Sequence, residues 1–261
     1  MIVKWYGTAS VSFETEQSRI LFDPFVPIMG SKVRINKKDF SGYSDIFITH
    51  GHLDHILSIP KLIKGGILSD NATIHCTKTP SNTLIKKGVR EERIHGIKPG
   101  DRISSGEFEI EALKGKHIHF DKEIIRRTLL SPRILQYIYN VPGLFIENKI
   151  CKENDETLAY VIKAEGRTIL LLGSIGLREG VDYPAGVDLL VLPFQGATDL
   201  ITPAMGVIEK IRPGSILLDH FDDTFPPISN SVCVNEFKNR MALSHPEIKL
   251  IVPEYKAPIL L

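Results

Sequence analysis

Apolar residues along the chain follow two alternating patterns. Short dense apolar runs at 45–49, 158–162 and 168–172 predict strands. At 202–211 the apolar residues recur three or four positions apart, which predicts a helix. Many short strands interleaved with few helices are typical of sheets covered by outer helices. We therefore expect an α/β (α+β) fold.

One segment departs from this alternation. An apolar stripe around Ile124 and a second around Ile134, separated by Pro132, predict two short amphipathic helices between strands. No Gly/Ser linker and no internal repeat divides the rest of the chain. We therefore expect a single domain over 1–261, with a helical insertion at about 116–156.

Charge and cysteine content narrow the class of protein. The 32 basic and 31 acidic residues give a net charge of +1, which argues against a nucleic-acid partner. Cys76, Cys151 and Cys233 are far apart in sequence, as expected of reduced thiols in a cytoplasmic protein. No apolar run approaches the ~20 residues of a transmembrane helix, although peripheral membrane contact and the oligomeric state stay open.

Four residues able to bind metal lie within six positions, directly after the apolar run at 45–49. They are His50, His52, Asp54 and His55. Divalent metals of borderline softness bind neutral imidazole nitrogens and carboxylate oxygens. Residues two apart in an extended segment face the same way, so His50 and His52 can reach one metal. Asp54 and His55 follow a bend, for which Gly51 supplies backbone freedom, and can reach a second metal about 3.5–4 Å away.

This segment carries a family resemblance. Residues 49–55, Thr-His-Gly-His-Leu-Asp-His, resemble the H-x-H-x-D-H signature of the metallo-β-lactamase superfamily. Trp-Tyr-Gly-Thr-Ala-Ser at 5–10 and Ile-Leu-Phe-Asp-Pro at 20–24 are similar to the branch that contains ascorbate-phosphate lactonases and related phosphodiester hydrolases. The resemblance covers nearly the whole chain. It implies a four-layer αβ/βα sandwich with metals in a cleft at one edge of its two sheets.

The resemblance also implies ligands further along the chain. His117 and His119 both qualify by position as the third histidine of the first metal, and His117 is preferred because it comes first after a strand. His220 matches the family's last histidine, which ends a late strand preceded by a helix. Metal-bound histidines usually donate their second ring proton to a carboxylate, for which Asp23 and Asp219 are candidates. Their alternative roles are a turn residue and a strand-end cap.

One position departs from the family pattern. Where the family carries an aspartate that bridges both metals, this chain has Ser174 after Gly173. A serine hydroxyl is neutral at pH 7 and a poor ligand, so we expect weakened occupancy of one site. The resemblance implies zinc, as one or two ions, and manganese or iron also suits the donors.

Together these residues predict a metal-dependent hydrolase. It would use a metal-bound hydroxide on an ester, lactone or phosphoester of a small molecule, with Asp54 as the catalytic residue that orients the nucleophile. The alternative is a non-catalytic or sensing member of the fold with a degenerate metal site, which Ser174 favours. A redox diiron protein is a third hypothesis, but no attached flavin domain is visible in the sequence.

The insertion bears on the substrate. Residues 114–152 contain eight basic and three acidic residues, a local net charge of +5. Placed over the cleft, a basic lid would favour an anionic substrate. Its apolar stripes could instead hold a lipid tail or rest on a membrane surface, or the helices could simply pack on the core as a solvated hairpin.

Overall fold

Two seven-stranded β-sheets form the framework of the protein in the computed structural model, which describes residues 1–118 and 122–261. The strands are β1 (Ile2–Trp5), β2 (Val11–Glu14), β3 (Arg19–Phe22), β4 (Asp45–Phe47), β5 (Thr73–Cys76), β6 (Ile94–Gly96), β7 (Arg102–Ser105), β8 (Phe108–Lys114), β9 (Leu158–Ala164), β10 (Arg167–Leu172), β11 (Leu189–Pro193), β12 (Ser215–Asp219), β13 (Lys249–Ile251) and β14 (Ile259–Leu260). The α-helices in the described residues are α1 (Leu53–Ile56), α2 (Ile59–Lys64), α3 (Lys78–Lys86), α4 (Lys122–Leu129), α5 (Arg133–Gln136), α6 (Val141–Ile150), α7 (Ile201–Ile211) and α8 (Asn235–Ser244), and two 3₁₀ helices span Lys37–Phe40 and Glu91–Arg93.

Both sheets change from antiparallel to parallel pairing part-way across. The first has the order β14-β1-β2-β3-β4-β5-β6 and is parallel from β3 to β6. The second has the order β13-β12-β11-β10-β9-β8-β7 and is parallel from β10 to β13. Strands β8, β10 and β12 therefore run in the same direction, so their carboxyl ends lie at one edge of the second sheet.

Three separate apolar cores hold four layers together. Leu53, Ile59 and Leu84 from α1, α2 and α3 pack on the outer face of the first sheet. Aromatic residues such as Trp5 and Tyr160 fill the space between the two sheets. The helices α7 and α8 cover the outer face of the second sheet in a third core. This arrangement confirms the four-layer αβ/βα sandwich expected from the sequence.

The buried strands explain the continuous apolar runs. In β10, Ile169 and Leu171 point into the core between the sheets, whereas Leu170 and Leu172 face the helices α7 and α8. Because successive side chains of a strand point to opposite faces, a strand covered on both faces must be apolar at every position.

The segment between β8 and β9 differs from the expectation in one respect. It contains three helices, because α6 follows the two predicted ones. The sequence Val141-Pro142-Gly143 was not expected to begin a helix, yet proline suits the first turn, where its missing N–H leaves no bond unmade. Across residues 1–118 and 122–261, no helix is long and apolar enough to span a membrane.

Candidate metal centre

Three histidines meet beyond the end of β4 and form the first of two clusters of potential ligand atoms. His50 and His52 follow β4 in the first sheet, and His117 follows β8 in the second. One ligand nitrogen from each ring lies within 4.8 Å of the other two. His50 Nε2 and His52 Nδ1 are 3.2 Å apart. Three imidazole donors from two different sheets therefore surround one point.

A second cluster adjoins the first. Asp54 and His55 come from α1, and His220 follows β12; their ligand atoms also lie within 4.8 Å of one another. Asp54 Oδ2 is 2.8 Å from His220 Nε2 and 3.6 Å from His55 Nε2. The ring centroids of His50 and His55 are 3.9 Å apart, so the two clusters share a border.

Glycine is required at position 51 of the motif for a reason other than the expected one. Gly51 was expected to provide backbone freedom, but its φ is not in the left-handed region. Instead, the carbonyl oxygen of Lys152 passes so close that a Cβ atom at position 51 would lie 2.1 Å from it. Glycine is therefore required here by close approach of the backbone before β9, which no local pattern in the sequence indicates.

The carboxylate of Asp23 orients His55, one of the residues of the second cluster. Its fully buried carboxylate accepts hydrogen bonds from the Thr49 amide at 2.9 Å and the Thr49 hydroxyl at 2.6 Å. Asp23 Oδ2 also lies 2.9 Å from His55 Nδ1. This contact keeps the His55 proton on Nδ1 and leaves Nε2 with a lone pair that faces Asp54. Thr49 was not singled out from the sequence, although it stands inside the motif.

Asp219 does not make the contact expected of it. The Nδ1 atom of His220 has no hydrogen-bond partner among the described residues, and neither has Asp219 Oδ1. Asp219 ends β12 on the side that faces Leu217 and the core between the sheets, because adjacent strand positions face opposite ways. Burial, with the nearby carboxylate of Asp23, raises the pKa of Asp219 well above its usual range.

The protonation states suit metal ligands. Burial and the neighbouring imidazoles lower the pKa of His50 well below its usual value, and burial likewise lowers the pKa of His117 to about 4. These rings are neutral near pH 7 and carry the lone pairs that a cation needs. Burial would also lower the pKa of His220, but the adjacent Asp54 carboxylate raises it to about 9. A cation at the second cluster would therefore replace the His220 proton.

Ser174 lies beside both clusters, at the end of β10. Its hydroxyl accepts a hydrogen bond of 3.1 Å from the backbone N–H of Ile118, next to His117. Gly173 before it is confined by the Leu158 carbonyl, which a Cβ atom would approach to 2.5 Å. The serine thus links β10 to the segment that carries His117 and adds no negative charge between the clusters.

Three non-glycine residues with left-handed backbone conformations surround the centre. Thr8, Asp23 and His220 have φ angles of 49°, 43° and 58°. The His220 N–H also donates to the Thr8 carbonyl at 2.8 Å. Such strained conformations persist only where the surrounding structure holds them, and they concentrate at functional sites. His119, the alternative third ligand, lies outside the described residues.

A cavity of about 450 Å³ opens above both clusters. Its floor contains the six predicted ligand residues and Ser174. Its wall is largely apolar and comes from α4, from the segment after β11 and from the segment after β12; among the wall residues are Ile124, Ile125, Leu129, Leu200, Phe225, Ile228 and Val232. The described residues that line the cavity include no lysine or arginine. The described basic side chains of the insertion therefore do not line the cavity, which argues against the basic-lid alternative.

Comparisons with known proteins agree with this geometry. A model of the beta-lactamase superfamily domain matches residues 18–214. A UPF0173 metal-dependent hydrolase of Methanocaldococcus jannaschii is 26% identical over 260 residues, which is 99% of each chain. Another, from Rhizobium etli, is 33% identical over 111 residues, 41% of this chain and only 44% of that protein. A solved metallo hydrolase from Ignicoccus hospitalis has a TM-score of 0.65 at 18% identity, covering 99% of this chain and 97% of its own.

The chain belongs to the metallo-β-lactamase superfamily, because the family match spans most of its length and the sandwich carries its histidines at the expected edge. The class predicted from the sequence, a metal-dependent hydrolase, is confirmed by the class named for these relatives. The solved structure shares the fold.

Proposed function

We propose that the protein hydrolyses an ester, lactone or phosphoester bond of a small molecule, at one or two divalent metal ions held by its two clusters. The observation that carries this proposal is the arrangement of six ligand residues in two adjoining groups of three on the floor of one cavity. Imidazole-rich donor sets favour zinc, and the same donors accept manganese or iron. We therefore propose zinc as the metal.

The chain's own residues prepare the site for this reaction. When bound, a divalent ion lowers the pKa of water toward about 7 and polarises the scissile carbonyl or phosphoryl group. Asp54, within 3.6 Å of two imidazoles, is the carboxylate that we propose orients the nucleophile. Asp23 holds the His55 ring in the tautomer whose Nε2 faces the cluster. A substrate seated against the apolar wall would displace water, which strengthens electrostatic interactions at the floor.

The lining also bears on the substrate. The described wall residues include no lysine or arginine. The cavity lining therefore suits an apolar group beside the scissile bond better than an anionic one. The volume of about 450 Å³ falls within the usual range of small-molecule sites, roughly 300–1,000 Å³. We therefore propose a substrate with an apolar substituent.

The test combines metal loading with activity. The protein, stripped with a chelator and reloaded with zinc, manganese or iron, is assayed on generic esters, lactones and phosphodiesters. We expect His52→Ala and Asp54→Ala to abolish turnover while thermal unfolding shows that both variants stay folded. His245→Ala is the matched control, since His245 lies at the end of α8 and contacts Glu247. Full activity in His52→Ala or Asp54→Ala, or no metal bound after reloading, would refute the proposal.

A second candidate function is supported by Ser174. Without a bridging carboxylate, two cations would repel each other with less compensation, so the protein could serve as a non-catalytic binding or sensing member of the fold. This candidate predicts stoichiometric metal binding without turnover on any substrate of the panel. Restored turnover in Ser174→Asp would favour a weakened enzyme instead.

We also propose a cytoplasmic location and a single functional domain. Cys76, Cys151 and Cys233 are all free thiols, and two of them are buried. Free thiols are typical of a reducing compartment. The near-neutral net charge of +1 supports a small-molecule substrate over a nucleic acid.

A further inference from the structure

The helices α4, α5 and α6 expose a concentration of large apolar side chains. Of the fifteen large apolar side chains exposed in the described residues, nine lie between positions 122 and 150. Neither α4 nor α5 contains a buried residue. We call the exposed apolar side chains of these three helices, together with Leu130, Ile138 and Tyr139, the apolar face. Nine exposed large apolar side chains within one short segment are more than scattered surface residues would give, and such concentrations mark interaction sites.

The apolar face continues into the metal cavity. Ile125 and Leu129 of α4 line the cavity, yet they are 47% and 67% exposed. Ile228, which also lines the cavity, is 38% exposed. A hydrocarbon chain could therefore pass from the apolar face to the metal centre without losing contact with apolar side chains.

Two partners could cover the apolar face, a second copy of the chain or an anionic lipid surface, and the charge of the segment favours one of them. Residues 122–152 contain six basic and two acidic residues, a net charge of +4, so the rest of the chain carries −3. Arg126 and Arg127 both pair with Glu123, which leaves the local excess positive. In a two-fold dimer through this face, the same positive segment would meet itself. An anionic lipid surface instead attracts it by about 1 kcal/mol per basic residue.

The helix α4 has the composition of an interfacial helix. Ile124, Ile125 and Leu129 are on the side that lines the cavity, while Arg126 and Arg127 are mostly exposed to solvent. Helices with apolar side chains on one side and basic side chains on the other can lie in the plane of a bilayer, with the apolar side chains in the acyl region and the basic side chains at the headgroups.

We propose that the apolar face docks on an anionic lipid surface, so that the mouth of the metal cavity opens toward the hydrocarbon. The docking itself depends only on the surface of α4, α5 and α6. The consequence that the substrate carries a hydrocarbon chain drawn from the lipid rests on the proposed hydrolase function.

Vesicle binding tests the docking directly. The protein is sedimented with vesicles of phosphatidylcholine alone and with vesicles that also contain phosphatidylglycerol. We expect binding to the anionic vesicles that weakens with added salt. The double variant Leu135→Ser/Phe145→Ser, on α5 and α6 outside the cavity lining, should bind about tenfold or more weakly. Leu243→Ser on α8 is the matched control, since Leu243 is 84% exposed and remote in sequence from the face.

Each outcome decides the proposal. Weaker vesicle binding by the double variant, with wild-type binding by Leu243→Ser, supports docking through the apolar face. No binding of the wild type to either vesicle overturns it, as does equal loss in the control variant. A dimer in solution that the double variant converts to a monomer, without vesicle binding, also overturns it and assigns the face to a second copy. Hydrolysis of a soluble ester is measured in parallel: vesicle binding without turnover refutes only the proposed function.

Discussion

Replacing Asp23 with asparagine tests how the structure prepares the second cluster. The Asp23 carboxylate accepts from both the amide and hydroxyl of Thr49 and from His55 Nδ1. An asparagine of the same shape can still accept from the Thr49 amide, but its NH₂ group would then face His55 Nδ1. Two donors cannot bond to each other, so the ring would change tautomer and carry its proton on Nε2, where it faces Asp54.

The expected size of the effect follows from this tautomer change. Loss of a carboxylate that orients a metal-binding histidine typically costs 10–100-fold in affinity, or about 1.4–2.8 kcal/mol. Only the cluster of Asp54, His55 and His220 loses a ligand lone pair. The cluster of His50, His52 and His117 should keep its affinity. Titration with zinc should therefore show that one site is weakened and that the other is unchanged.

The zinc affinity of each site is measured by competition with a chromophoric chelator. Ser10→Ala is the control, because the Ser10 hydroxyl supports the same turn through the Phe25 amide and the Asp23 carbonyl, without touching the carboxylate. It should lower the free energy of unfolding by about 1–3 kcal/mol and leave metal affinity unchanged. Wild-type affinity at both sites in Asp23→Asn would refute the tautomer argument, and so would equal metal loss in the control.

Three further predictions concern other parts of the molecule. Ser174→Asp should increase zinc affinity about tenfold or more in the same competition assay, because it adds a negative charge beside both clusters; unchanged affinity would contradict this. Gly51→Ala should lower the free energy of unfolding by about 1–3 kcal/mol in calorimetry, because its Cβ would lie 2.1 Å from the Lys152 carbonyl oxygen. The control Gly206→Ala has open space around its Cβ and should not destabilise the protein. Asp45→Asn should lower Tm at pH 7 but not at low pH. The hydrogen bond from His75 holds the pKa of Asp45 below its usual 3.8, so the ionised carboxylate stabilises the fold above that pH and this contribution disappears as pH falls through the folded-state pKa. An equal Tm difference at both pH values would show that ionisation of Asp45 is not the cause.

Local patterns were enough to predict most of the strands, although β7 and β14 were not predicted. The apolar runs at β9 and β10 have no polar alternation, and each is buried almost throughout. The end of β4 was also predictable, since its run of β-forming residues gives way to histidines. Spacing alone grouped His50 with His52, which the structure brings within hydrogen-bond distance.

Other features depend on contacts that sequence spacing does not encode. Gly51 is needed because of the distant Lys152 carbonyl, and Asp219 faces the inner core instead of the His220 ring. The positive charge of the insertion suggested a basic lid, but the side of α4 that lines the cavity carries Ile124 and Ile125. A net charge counts residues and does not say which side of a helix faces the site.

The sequence by itself determined where most of the strands lie and where the metal-binding motif begins, because periodicity and composition are local properties of the chain. Only the tertiary structure decided that His117 and His220 reach the motif, since the order and direction of strands in two sheets bring their ends together. It also decided that the cavity wall is apolar, because that depends on how α4 lies over the sheet edge. Both features depend on packing between residues that are far apart in the sequence, and local sequence patterns do not contain this information.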